Sequence, residues 1–147
     1  MATSRSDSPA DSPSPADSAE LRLLGLLAVA DRGVELQERA EAVLRGCAGE
    51  DHPDIALARE GGYVAGEYHR LHGWAADADR LPDGDGLREL MALLLMQHCM
   101  IVHHAVRLAF PKAAHRVGLR RPIAPALGEP ADRLRATRDE LARRARG

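Results

Sequence analysis

The feature that most constrains this chain is its punctuation. Three clusters of Pro and Gly, "GCAGEDHPD" from Gly46, "LPDGDG" from Leu81 and "RRPIAPALGEP" from Arg120, cut it into segments too long for strands. Within the segments, apolar residues recur every three or four positions, and no stretch alternates with period two. Ala, Leu and Arg dominate, all strong helix formers. The expected fold is all-α: a bundle of three long helices plus a shorter C-terminal helix.

The expected helices run from about Ser18 to Arg45, from the Pro53 turn to about Asp79, from about Leu87 to Phe110, and from about Ala131 to Arg146. Asp17 with Glu20 reads as a capping box for the first, with Gly46 and Gly49 as its stop signals. Asp51 or His52 is the expected cap of the second, with Pro53 in its first turn and Asp54 near its N-terminus. Ahead of this domain (18–147), residues 1–17 are rich in Ser, Pro and Asp and hold no large apolar side chain except the initial Met. Such a tail is expected to be disordered.

Composition removes several function classes. Aromatics are only 3% of the 147 residues, too few for a module that stacks bases. Phosphate-binding glycine loops, nucleophile elbows and H-E-x-x-H are absent from the sequence. "DGDG" lacks the acid spacing of a calcium loop and reads as a turn. Cys47 and Cys99 stand in no zinc-ligand spacing, so a reduced, cytoplasmic chain is expected. "LRLLGLLAVA" from Leu21 resembles a signal-peptide core. The residues before it, however, set Arg5 against Asp7, Asp11, Asp17 and Glu20, the wrong sign for that role. No apolar run is long enough to predict a membrane span.

Charge is unevenly distributed. Residues 111–147 carry ten basic and four acidic side chains, a net +6, and the first 110 carry ten and eighteen, a net −8. The tail arginines lie all round their helix. The expectation is intramolecular or intersubunit pairing, with Asp31, Glu35, Glu60 and Glu67 as candidate partners, rather than specific nucleic-acid binding.

The chemistry-bearing residues gather in "LLLMQHCMIVHHAV", Leu93–Val106. On a helical wheel His103 and His104 fall on the polar side with Arg88, Glu89, Gln97 and Arg107. His98 falls among Met91, Leu94, Val102 and Ala105 on the apolar side. On the second helix, Leu57, Ala58, Gly61, Val64, Ala65, Tyr68, Ala75 and Ala76 form the inward face, with His72 near its centre and His69 at its edge. On the first helix Gln37 is the polar intruder among Leu26, Val29, Ala30, Gly33, Leu36, Ala40 and Leu44.

Folding the second and third helices as an antiparallel hairpin brings His69 and His98 to one height, with His72 a turn away. His69, His72 and His98 are therefore the candidate ligands of a divalent transition metal, which three imidazoles bind with open positions to spare. In arrangement alone this resembles the three-histidine sites of DinB-like helical bundles. Their H-x-x-x-H element is missing, so no residue role carries over. Two other readings concern Met96, Cys99, Met100 and His103, which share a stripe: a soft-metal site, or a Cys99–His103 nucleophile pair.

The reading preferred for the histidines is a buried polar layer that fixes helix register. The preferred function is a non-catalytic binding or assembly module, self-associating or docking a protein partner. Its signs are a first helix apolar nearly all round at its start, at Leu21, Leu23, Leu24, Leu26, Leu27 and Val29, and Leu93, Met96 and Met100 on the polar side of the third. A metal-dependent bundle, possible enzyme included, is the alternative. Nucleic-acid association through the basic tail is the second.

Overall fold

The computed structural model describes residues 14–49, 53–77, 86–111 and 123–147. They form four helices, α1 (Pro15–Gly49), α2 (Ile55–Asp77), α3 (Leu87–Ala109) and α4 (Glu129–Arg146), with no strand among them. The all-α architecture of three long helices and a shorter fourth is the one the sequence predicts.

α1 begins earlier than the apolar pattern. The Asp17 amide donates to Ser14 Oγ at 3.2 Å, so Ser14 caps the helix in place of Asp17. Pro15 follows directly, where its fixed φ fits the first turn and its missing N–H costs nothing. At the other end Gly46 continues the helix instead of stopping it. A Cβ there would lie 2.8 Å from Leu57 Cδ1, so glycine lets the start of α2 close onto α1. Asp54 caps α2 by accepting the Ala56 amide at 3.2 Å, and Pro53 stands just outside the helix. Asp51, His52 and most of the 1–17 tail lie outside the described residues, as does most of the "LPDGDG" turn. Its last residue, Gly86, precedes α3 at φ 73°, a left-handed conformation that favours glycine.

Contacts fix the directions. Gly33 of α1 faces Tyr68 of α2, and Gly46 faces Leu57, so the two run antiparallel. His72 meets Ala92, and Gly61 meets Val106, so α3 runs back against α2. Gln37 bonds Ala131 and Asp31 pairs with Arg138, so α4 descends along α1. Among the described residues α1 touches all three other helices and α3 does too, whereas α2 and α4 do not meet. The α1–α3 pair is the spine, with α2 laid on one side and α4 on the other.

The core is aliphatic, built on Leu36, Leu44, Leu94, Leu95, Val64 and Val102, all fully buried. α4 docks on a narrow line of Ala131, Leu134, Thr137 and Leu141. By length and a mean hydropathy of 1.3, α3 is the one described helix suited to cross a membrane. In this fold it is the central helix of the bundle, with Met91, Leu94, Leu95, His98 and Val102 wholly enclosed.

Candidate functional site

The structure separates the three predicted histidines. His98 has no exposed surface, His72 is half-buried and His69 is exposed. The predicted height is close: the residue level with His98 is Tyr68, whose ring centroid is 5.0 Å away. His69 is the next residue and so points about 100° further round the helix, into solvent. His72 lies one turn on, and its Nδ1 is 2.8 Å from the Ala92 carbonyl. Among the described residues no three His, Cys, Asp or Glu side chains come together as a group able to hold a metal ion.

What His98 does instead follows from its two nitrogens. Nδ1 is 2.6 Å from the carbonyl of Leu94, one turn back on α3. A carbonyl only accepts, so Nδ1 carries the proton and Nε2 is bare. Nε2 is 3.2 Å from Nε2 of Gln37 on α1, which donates to it. The same amide nitrogen gives its second proton to the Ala131 carbonyl at 3.1 Å. Its oxygen accepts Arg135 Nη1 at 2.8 Å. Asp132 accepts the other arm of that guanidinium. The orientation of Gln37 is thus set twice over by α4: Ala131 O demands a donor and Arg135 demands an acceptor.

Tyr68 completes the layer. Its buried hydroxyl donates to the Gly33 carbonyl at 2.8 Å, joining α2 to α1. Gly33 also makes room for α3 and α4, because a Cβ there would lie 2.8 Å from Leu95 and 3.2 Å from Leu134. One polar layer therefore links all four helices. Burial holds the His98 imidazolium unfavourable and its pKa below the ordinary value. The Leu94 bond partly opposes this and the Arg135 charge adds to it. Burial also pushes the Tyr68 phenol up. Both ring nitrogens of His98 are thus engaged within the layer.

The stripe of Met96, Cys99, Met100 and His103 divides. Cys99 is half-buried, and burial pushes its thiol up, away from the thiolate a nucleophile needs. His103 and Met100 are exposed, and Met96, one turn before Met100, is half-buried. Around Met100, 59% exposed, and Leu93, 53% exposed, α3 turns an apolar seam to solvent. Exposed apolar side chains also occur at Leu21 and Leu24 of α1 and at Ile55, Tyr63 and Trp74 of α2. The two aromatics are partly covered: the Arg39 guanidinium lies 4.6 Å from the Tyr63 ring and that of Arg70 5.7 Å from Trp74.

The α4 arginines are largely spoken for. Arg135 pairs with Asp132, Arg138 with Asp139 and Asp31, and Arg143 and Arg144 with Glu140. Of the four body acids named as partners of the tail, only Asp31 meets one of its arginines among the described residues, at 3.8 Å. Glu35, Glu60 and Glu67 pair with Arg32, Arg39 and Arg70 instead. No protein-family model, no curated protein and no solved structure matches the chain.

Proposed function

We propose that the protein is a non-catalytic assembly module that docks a partner helix along the exposed seam of α3. The observation that carries this reading is the spacing of Leu93, Met96, Met100 and His103. They stand three, four and three residues apart, the period at which one helix receives the side chains of another. The first three are strongly apolar, and Leu93 and Met100 are more than half exposed on the helix that is otherwise the most enclosed. Methionine adapts its shape to what it meets, which suits a binding surface. The seam sits mid-helix on a rigid element, whereas Leu21 and Leu24 lie near one end of α1.

The pairing of α4 arginines within their own helix supports a protein partner over nucleic acid, since few of them remain for phosphate. A reduced, cytoplasmic setting suits two unpaired cysteines.

The test is site-specific photocrosslinking in intact cells. A photoreactive phenylalanine at Met100 is expected to give a discrete adduct, and the same residue at Ala136 on the outer face of α4 none. An adduct of twice the chain mass identifies a second copy, and any other mass a different protein. No adduct at Met100, or equal labelling at both positions, sinks the proposal.

A further inference from the structure

The layer around His98 has a property that its structural role does not require. We propose that it is an acid-sensitive latch: Gln37 holds α4 only while His98 Nε2 accepts a hydrogen bond, and protonation of that nitrogen releases α4 from the α1–α3 spine.

The argument is one of donors and acceptors. In the closed arrangement Gln37 gives one N–H to His98 Nε2 and one to Ala131 O, and takes one from Arg135. A proton on Nε2 makes two donors face each other. Turning the amide over would present its oxygen to His98. The oxygen would then also face the Ala131 carbonyl, and the NH₂ group would face the Arg135 guanidinium, which has no acceptor. Both bonds that the turn destroys belong to α4. No orientation of Gln37 satisfies a protonated His98 and a docked α4 together.

The surroundings do not rescue the charge. From α4 comes Arg135, itself positive, with Asp132 already bound to its other arm. From α2 comes the neutral Tyr68 phenol, committed to Gly33 O. From α1 come Gln37 and, further off, Glu41 and Arg32, which act in opposite senses on the Tyr68 phenol. From α3 itself comes only the Leu94 carbonyl, which binds Nδ1 in either state. α4 is also the helix with least to lose. Its buried side chains are Ala131, Leu134, Thr137 and Leu141, and no contact with α2 supports it among the described residues.

The sign follows from linkage. His98 binds its proton less readily in the docked bundle than when α4 has left, because burial is the first cause of its lowered pKa. Docking is therefore complete above the ordinary histidine value of about 6.5 and weakens as pH falls below it. One proton taken up on release makes the docking constant fall about tenfold per pH unit in that window.

The test is amide hydrogen exchange of the full chain at pH 7.5 and 5.5, corrected for intrinsic rates. Protection over residues 129–146 is expected to fall about tenfold at pH 5.5, with residues 55–77 unchanged. In Gln37→Glu, a carboxylate accepts from both protonated His98 and Arg135, so α4 protection is expected to be equal or greater at pH 5.5. If that variant does not fold, His98→Phe replaces it, with protection expected to be flat across the two pH values. Equal α4 protection at both pH values in the natural chain overturns the latch. So does a matched loss in α2 and α4, or a Gln37→Glu response identical to the parent.

Discussion

Two adjacent glycines on α2 are expected to respond to the same substitution with opposite sign. Gly61 is buried where α2 crosses α3 and α1. A methyl group added there lands on Cγ2 of Val106 and 3.2 Å from Cγ1 of Val43. Gly62, one residue on, is exposed, and a methyl there meets nothing within 4 Å. Alanine in place of glycine inside a helix is worth about 1 kcal/mol, because the unfolded chain loses freedom and the helix does not. At Gly62 that gain is unopposed, so Gly62→Ala should stabilise by about 1 kcal/mol. At Gly61 the gain is set against overpacking, which costs about 1–3 kcal/mol. The upper half of that range applies here, since valine is stiff at χ1 and Val106 cannot turn aside without leaving its rotamer. Gly61→Ala should therefore destabilise by about 1–2 kcal/mol.

Urea unfolding followed by helical circular dichroism measures both, with the slope expected to be unchanged and only the midpoint to move. Each kcal/mol corresponds to about 3–5 °C in melting temperature for a chain of this size. A Gly61→Ala midpoint at or above that of the parent would refute the packing described between α2 and α3. A Gly62→Ala midpoint below it would mean that the outer face of α2 is covered in solution.

Three further outcomes are expected. Tyr68→Phe should cost about 1 kcal/mol in urea unfolding, the worth of one buried hydrogen bond, here to Gly33 O; no loss would mean that water or another donor replaces the hydroxyl. Leu93→Glu should change stability by less than about 0.5 kcal/mol, as exposed positions do, while abolishing the photocrosslink at Met100. Zn²⁺ or Ni²⁺ should leave the melting midpoint unmoved, and a rise lost in His98→Ala would restore the three-histidine site.

The inward faces were legible because burial follows helical period. Leu26, Val29, Ala30, Gly33, Leu36, Ala40 and Leu44 of α1 are all buried, with Gln37 among them. So is His98 in the midst of the α3 core. The partners of those polar residues were not legible. A wheel gives a side chain's direction from its own axis, and a hairpin gives its height. Neither gives the angle and offset at which two helices cross, and those decided that Tyr68, not His69, meets His98. In α4 only Leu134 and Leu141 are large and apolar, too thin a stripe for the sequence to predict docking. Its buried line is completed by Ala131 and Thr137, small residues that hydropathy undervalues but close packing needs. Gly46 misled in the opposite direction. A single glycine costs a helix about 1 kcal/mol, and Leu57 packed against it shows why the helix runs on.

The histidine motif illustrates why residue type alone does not define a site. An imidazole offers one donor and one acceptor when neutral, and becomes a ligand or a base only if one of them is left unspent. In His98 both are spent, the donor on its own helix and the acceptor on Gln37. Gln37 in turn has its donors and its oxygen committed across α3 and α4. The saturation leaves neither nitrogen of His98 uncommitted, and the proposed acid sensitivity of the layer rests on that. A network with spare capacity would absorb that proton by turning a side chain. In this one Gln37 cannot turn without losing both its bonds to α4, which is why the proposed latch acts on that helix, the one with no contact to α2 among the described residues.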